Sequence, residues 1–314
     1  MRGKQLATVL KLACSVFILT WLLKSIDLQG LYQAFSRASL WVFMGVLLLN
    51  LAGVILSVYK WQKLLKHDGL PCGYFFLLHL YFCGIFFNTF LPTSIGGDAV
   101  RGLMLTRKSR RPMVAVTSIF AERFSGLLAM LPLLACGYVL AGEFLEINFN
   151  QGIEVMMVGT FVVIVSLIIF VLSRRFAPGA ERGMNKINAA VTGVRGYMVD
   201  CRLVWTLVWT SVVFQLLVVG VYWTAGIAFN LHINFAVFLL VVPLVTLLAL
   251  LPISLNGLGL REGGVVYLLG RAGVDGHEAL ALSLAVYGLS LVLAMFGGLS
   301  WVLGRPEEGL PDPE

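Results

Sequence analysis

Long apolar runs separated by short polar stretches form most of this chain. A helix needs about 20 apolar residues to cross a hydrocarbon core about 30 Å thick. Eight stretches approach or exceed that length: 6–23, 38–59, 74–91, 113–142, 153–172, 203–229, 234–251 and 279–303. We interpret six of them as ordinary spanning helices. The other two, 74–91 and 234–251, run directly into turns rich in Pro and Gly, so we predict that these helices are broken.

The distribution of basic residues predicts the orientation, because Lys and Arg accumulate in cytoplasmic loops. The N-terminus and the stretches after 38–59 and after 74–91 are basic, with Arg2, Lys4, Lys11, Lys60, Lys63, Lys66, Arg101, Arg107, Lys108, Arg110 and Arg111. Both flanks of 74–91 are therefore predicted to be cytoplasmic, which a re-entrant hairpin satisfies and a single crossing does not. An acidic stretch with Glu143 and Glu146 is predicted outside, and the basic loop 173–202 inside. Both flanks of 234–251 then lie outside, so we predict a second hairpin of opposite orientation.

An internal repeat relates the two interrupted stretches. Residues 91–97 (LPTSIGG) match residues 251–257 (LPISLNG) at an offset of 160 positions, and the same offset places Arg101 on Arg261. The first copy starts outside and the second inside, so the predicted repeat is inverted. We expect a single transmembrane domain over 1–305, with halves at about 38–142 and 198–302, followed by a short polar tail over 306–314. The expected fold is all-α and polytopic, with about six spanning helices and two re-entrant hairpins.

The broken segments are the best candidates for a binding site, because matching interruptions in two inverted halves mark transporter sites. Pro lacks an N–H and Gly accepts unusual backbone angles, so each break frees polar groups that need protein or water around them. A half-helix starting near Gly97 or Gly257 would present N–H groups to an anion. An Arg one turn later can offer paired donors to a phosphate. The alternative is that both motifs are tight turns, with the arginines anchored at interfacial headgroups.

The composition excludes a soluble globular protein. Only 12% of the residues are charged, about half the usual share in soluble domains, and the mean hydropathy is +0.91. The net charge of +7 would suggest a nucleic-acid partner in a soluble protein, but here the basic residues lie between apolar runs. We expect an integral protein of a prokaryotic cytoplasmic (inner) membrane, with both termini cytoplasmic. The chain has no ATP-binding motif and no metal-ligand spacing, so we expect neither a cofactor nor a metal.

Three ordered motifs resemble the flippase-like membrane family. They read Asn88-x-x-Leu91-Pro92-x-x-x-Gly96-Gly97-Asp98-x-x-Arg101, then Glu122-Arg123, then Leu251-Pro252-x-Ser254-x-x-Gly257-x-Gly259-x-Arg261-Glu262. This family includes the transmembrane part of lysylphosphatidylglycerol synthases (multiple peptide resistance factor proteins), and members occur beside glycosyltransferases that use polyprenyl-phosphate carriers. The resemblance covers about residues 6–303 and implies a lipid-translocating or lipid-handling domain. No aminoacyl-transfer domain follows residue 305, so we do not expect lysyl transfer by this polypeptide.

The candidate residues for lipid-headgroup binding lie at the two turns and on the helix that follows the first one. They are Ser94, Gly96, Gly97, Asp98, Arg101, Glu122, Arg123, Ser254, Asn256, Gly257, Gly259, Arg261 and Glu262. Asp98 could cap its half-helix, hold Arg101 in register or accept a proton or an ammonium group, and Glu262 has the same alternatives. Glu122 could pair with Arg101 or with Arg123. Acidic residues beside a phosphate site favour a zwitterionic or aminoacylated headgroup.

Three functions are compatible with these features. The favoured one is a transporter that moves a phospholipid or polyprenyl phosphate through a cavity between the halves. A second is an enzyme, or its membrane subunit, that modifies a headgroup at Asp98, Glu122 or Glu262, although the sequence offers no recognisable nucleophile and base. A third is a lipid-binding scaffold for a separate transferase or glycosyltransferase, with the basic loop 173–202 as its docking surface.

Overall fold

The computed structural model describes residues 28–37, 39–91, 96–141, 196–197, 199–251, 254 and 256–304. The predicted spans 6–23 and 153–172, residue Ser94 and the tail 306–314 lie outside these residues. The described helices are α1 (Leu28–Arg37), α2 (Leu40–His67), α3 (Tyr74–Phe90), α4 (Gly96–Ser109), α5 (Pro112–Ala141), α6 (Cys201–Ala228), α7 (Phe235–Leu250), α8 (Leu260–Arg271) and α9 (Gly276–Leu303).

Four of these helices, α2, α5, α6 and α9, are long and apolar enough to cross a membrane. They have 28 to 30 residues each, more than the roughly 20 that a crossing needs. Helices α3 and α7 are apolar too, but they have only 17 and 16 residues. The described chain contains no strand, and the prediction of an all-α polytopic membrane protein is confirmed.

The helix lengths recur along the chain. A long helix, two short helices and a second long helix occur as α2 to α5, and the same order returns as α6 to α9. The order follows the sequence repeat, whereas the opposite membrane orientation of the halves stays a prediction.

Helices α3 and α4 form an antiparallel hairpin. The Arg101 side chain lies against Gly84, and the Lys108 ammonium lies 4.5 Å from the Phe76 ring centroid, so α4 runs back along α3. Gly97 packs so closely on the Gly84 carbonyl that any side chain at position 97 would overlap it. The hairpin therefore depends on a glycine where the chain leaves its first break.

Helices α7 and α8 form a second hairpin of the same kind. A Cβ on Gly257 would lie 2.6 Å from the Ala249 Cβ, and one on Gly264 would lie 3.2 Å from Val245, so α8 also runs back along α7. Gly257 has a φ of 75°, in the region that glycine adopts without steric cost.

The loops that flank the first hairpin meet at one end of the helical bundle. The Arg111 guanidinium donates to the Gly69 carbonyl at 3.1 Å, and the Tyr197 hydroxyl donates to the Asp68 carboxylate. Burial, together with this hydrogen bond, raises the pKa of Tyr197. The loops after α2, after α4 and before α6 therefore lie together.

The two halves are joined along their first helices. Helices α2 and α6 run antiparallel, because Gly45 lies against Thr224 and Gly53 against Phe214. At the end of this pair, the Ser39 N–H donates to the Ala228 carbonyl at 3.1 Å.

The last helix of each half packs on the short helix of the other half. In the first half, Gly137 of α5 contacts the backbone of Leu239 and Leu240 in α7. In the second half, Gly297 of α9 contacts the backbone of Phe82 in α3. The two glycines stand 160 positions apart, as the sequence repeat requires. Each crossing brings the helix backbones together with no room for a side chain.

We expect Gly137→Ala and Gly297→Ala each to lower the thermal unfolding temperature of the protein in detergent micelles. Overpacking of this kind costs about 1–3 kcal/mol, and here the new methyl group meets backbone atoms. Gly288→Ala is the matched control, because Gly288 lies on the same helix as Gly297 but has space for a methyl group. It should leave the unfolding temperature unchanged or raise it, since Ala is the better helix former. Equal effects of Gly288→Ala and Gly297→Ala would contradict the close crossing.

The topology predicts that single cysteines at positions 66 and 108 react from the same side of the membrane. The structure supports this, since the loops next to both positions are joined by the bond between Arg111 and Gly69. Position 275 lies in the loop between α8 and α9, which flanks the second hairpin. A cysteine there should react from the opposite side. The measurement is maleimide labelling of oriented vesicles, with the native cysteines replaced. Labelling of 66 and 108 from opposite sides would exclude the first re-entrant hairpin and the inverted repeat.

Candidate functional site

Arg101 lies at the centre of a buried group of charged residues. Only 1% of its surface is exposed, and α4 positions it against α2, α3 and α5. Its guanidinium lies 4.9 Å from the Trp61 ring centroid and 4.8 Å from that of Tyr81. Aromatic rings attract a cation through the negative charge of their faces. The two rings therefore fix the plane of the guanidinium.

Glu122 neutralises Arg101. Its Oε2 accepts a hydrogen bond from Arg101 Nη2 at 2.5 Å, and its Oε1 accepts one from the Tyr81 hydroxyl at 3.1 Å. Glu122 is buried, and each of its carboxylate oxygens thus accepts a hydrogen bond. A buried charge is tolerated when it is paired and hydrogen-bonded in this way. Of the two partners that the sequence left open for Glu122, its contacts match Arg101.

Asp98 links Arg101 to Arg123. Its carboxylate accepts two hydrogen bonds from Arg123, at 2.8 and 2.9 Å, and forms an ion pair with Arg101 Nε at 3.2 Å. Among the roles considered for Asp98, these contacts match the one in which it holds Arg101 in register. The Arg123 side chain is 49% exposed, so it is the accessible basic group of this arrangement.

Lys60 also belongs to this arrangement, although the sequence pattern places it in a loop after residue 59. Helix α2 continues to His67 and buries Lys60. Its Nζ donates to the Glu122 carbonyl at 3.0 Å, to Ser211 Oγ at 3.2 Å and to Ser125 Oγ at 3.4 Å. The lysine therefore joins α2, α5 and α6. The one hint in the sequence is the adjacent Trp61, an aromatic residue that continues the apolar face past the charge.

We call Lys60, Asp98, Arg101, Glu122 and Arg123 the charge cluster. It combines three basic and two acidic side chains on three helices of the first half.

The second turn is built differently from the first. Helix α8 begins at Leu260 and not near Gly257, because Asn256, Gly257 and Gly259 all have positive φ angles that an α-helix cannot contain. The Glu262 carboxylate turns back and accepts a hydrogen bond from the Gly259 N–H at 2.6 Å. Glu262 thus caps the start of α8 and takes the place that an anion would occupy there.

Arg261 lies in the first turn of α8 and is partly buried. Its guanidinium lies 5.4 Å from the Tyr287 ring centroid. No carboxylate of the described residues forms an ion pair with it. Ser254 lies in the non-helical stretch between α7 and α8. It is buried, and its hydroxyl has no hydrogen-bond partner among the described residues.

The two turns contact each other through Asn256. Its side-chain amide donates to the carbonyls of Asn88, Leu91 and Thr89, at 2.7, 3.2 and 3.4 Å. The last carbonyls of a helix have no partner within the helix. The second half therefore satisfies the end of α3 in the first half.

The structure thus brings the candidate residues into two neighbouring groups. The group at the first turn contains Gly96, Gly97, Asp98, Arg101, Glu122 and Arg123, and the group at the second contains Ser254, Asn256, Gly257, Gly259, Arg261 and Glu262. Ser94 lies outside the described residues. Asn256 connects the groups.

A possible metal-ligand group in the described chain lies away from both turns in sequence. Asp275, His277 and Glu278 place their ligand atoms within 4.8 Å of one another at the start of α9. Asp275 is exposed and the other two are partly exposed. We assign no metal to them, because structural metal sites have enclosed ligands held by further hydrogen bonds.

Comparison with known families agrees with the resemblance in the motifs. The sequence model for the transmembrane region of lysylphosphatidylglycerol synthase matches residues 8–298. The match includes both turns and the whole charge cluster. No curated protein matches the chain.

We expect replacement of Asn256 to destabilise the contact between the two turns. Asn256→Gly keeps the positive φ but removes the amide, and leaving the carbonyls without their donor costs about 1–3 kcal/mol. Asn256→Asp should cost more, because a carboxylate would face three carbonyl oxygens. Thermal unfolding of the purified protein in micelles measures both effects.

Asn230→Gly is the matched control, because Asn230 also has a positive φ but lies in the loop after α6. It should unfold within a degree or so of the wild type. An Asn256→Asp protein as stable as wild type would show that the amide does not hold the turns together.

Proposed function

Since the chain belongs to the family of lysylphosphatidylglycerol synthase transmembrane regions, we propose that it moves a phosphate-bearing lipid headgroup across the membrane, along a path between its two halves. The family and the apolar helices make it a lipid-related integral membrane protein. Movement of the lipid across the membrane is our proposal.

The observation that carries the proposal is the contact between two broken helices, one from each half. Asn256 joins the start of α8 to the end of α3, and each break is followed by an arginine. Secondary transporters place their substrate where interrupted helices of two halves meet, since backbone groups freed there can face a polar ligand.

The charges support an anionic group as the ligand. Charged residues in a membrane domain are costly and mark pathways or pairs. In the charge cluster, basic groups outnumber acidic ones by one, and Arg123 is accessible. A phosphate would balance this excess. The nearby carboxylates of Asp98 and Glu122 favour a headgroup that also carries an ammonium group.

The helix arrangement supports alternating access through inverted halves. The flanks of the first hairpin share one end of the bundle, where Arg111 contacts Gly69. Helices α2 and α6 run antiparallel, and the last helix of each half packs on the short apolar helix of the other half, at Gly137 and Gly297. Two inverted halves related in this way can rock against each other around a fixed site.

The test is lipid translocation in proteoliposomes. Vesicles would carry fluorescent phosphatidylglycerol, phosphatidylethanolamine, phosphatidylcholine or a polyprenyl phosphate, and the accessible leaflet would be quenched over time. We expect the protein to accelerate the movement of at least one lipid about tenfold or more over protein-free vesicles, a barrier reduction of ~1.4 kcal/mol. The double variant Arg101→Gln/Arg261→Gln should lose this activity. Arg107→Gln, an exposed residue of α4, should retain it.

Two results would contradict transport. Wild-type protein that binds a lipid but moves none would favour a lipid-presenting subunit for a separate transferase. Chemical modification of a headgroup by the purified chain would favour an enzyme.

A further inference from the structure

We propose that Arg261 makes the direct contact with the headgroup phosphate, whereas its repeat counterpart Arg101 is a positioning residue. This inference rests on the proposed function. It gives different roles to two arginines that occupy equivalent positions in the sequence repeat.

The charge of Arg101 is already balanced by two carboxylates, although its Nη1 and Nε have no hydrogen-bond acceptor among the described residues. Its faces lie against two aromatic rings, and Glu122 and Asp98 take up its charge. Because only 1% of Arg101 is exposed, a phosphate that reached its guanidinium would displace groups packed around it, such as Glu122. That carboxylate would then be buried without its partner, and breaking a buried ion pair is strongly destabilising. The same phosphate would also be repelled by Asp98.

Arg261 has the opposite surroundings. One side of its guanidinium is oriented by Tyr287, and no carboxylate of the described residues pairs with it. The adjacent Glu262 is held by the Gly259 N–H. A guanidinium carries five N–H donors in a fixed fork that matches a phosphate. The buried Ser254 hydroxyl, in the non-helical stretch between α7 and α8, lacks a partner among the described residues and is a second donor for a ligand.

The sequence repeat explains the difference. At the offset of 160 positions, Asp98 corresponds to Leu258 and Glu122 corresponds to Leu282. The second half therefore repeats the arginine but replaces both of its acidic partners with leucine. An arginine in an apolar setting without a counter-charge is costly, and an anionic ligand would remove that cost. Among the described residues, Arg101 has a counter-charge and Arg261 has none.

The experiment compares binding and stability in purified variants. Dihexanoyl forms of phosphatidylglycerol, phosphatidylethanolamine and phosphatidylcholine, together with geranyl phosphate, would be titrated calorimetrically into protein in maltoside micelles. For the tightest of these probes, Arg261→Gln should weaken binding about tenfold or more, which corresponds to ~1.4 kcal/mol. Arg261→Lys should retain part of the affinity. Tyr287→Phe should bind like the wild type, whereas Tyr287→Leu should bind more weakly, because it removes the ring.

Arg101→Gln should unfold at a clearly lower temperature, yet its folded fraction should bind the same probe within about threefold of wild type, a difference below ~1 kcal/mol. Arg101→Lys keeps the charge opposite Glu122 and provides a second variant if Arg101→Gln does not fold. Arg107→Gln controls for the loss of an exposed arginine.

Each result decides between the two arginines. Wild-type affinity in Arg261→Gln, or an equal loss of binding in an Arg101 variant that melts normally, would overturn the inference. So would the absence of binding of all four probes to the wild type. Binding that depends on Arg261 in a protein that moves no lipid would retain the inference and reject transport. Transport that is unchanged in Arg261→Gln would reject the inference alone.

Discussion

A charge removed from water must find its counter-charge within the protein, and the pairing of Arg101 with Glu122 meets that requirement at the centre of this molecule. The pair fixes α4 against α5. Tyr81 adds α3 by donating to the same carboxylate, and Lys60 adds α2 and α6 by bonding to the Glu122 carbonyl and Ser211. The helices of the first half are therefore held around one guanidinium. The apolar contacts between these helices are less specific, because other apolar side chains of similar size could make them.

Backbone polar groups impose a second requirement, and the two halves meet it jointly. A helix that ends inside a membrane domain leaves carbonyls without partners. The end of α3 borrows the amide of Asn256 from the other half, while the start of α8 uses its own Glu262. One break is therefore completed from within its half and the other from outside. This asymmetry makes the contact between the turns part of the fold and places it beside the groups that a ligand would meet.

The sequence predicts those features that follow from local composition. Length and hydropathy identify the long helices, and the Pro and Gly after residues 91 and 251 identify the breaks. The motif repeat also anticipates that Arg101 and Arg261 occupy related positions. Each of these depends on residues close together in the chain, so a pattern suffices.

The partners of the charged side chains depend on how helices cross, and no local pattern encodes that. The sequence pattern places Lys60 in a loop, but α2 extends two further turns and buries it against α5 and α6. Glu122 stands next to Arg123 in the chain but pairs with Arg101, because successive residues on a helix point in different directions. The replacement of Asp98 and Glu122 by leucine in the second half was visible in the sequence. Its meaning emerged once the pairing in the first half was known.

The packing of α9 on α3 has a consequence for how the protein is made. The surface of α3 around Phe82 is covered by Gly297, which the ribosome adds 215 residues later. The first half therefore enters the membrane without its final neighbour, and lipid must cover that surface until α9 arrives. Completion of the α3–α4 hairpin is thus coupled to synthesis of α9, and a chain that stopped before α9 would leave this surface of α3 uncovered by protein.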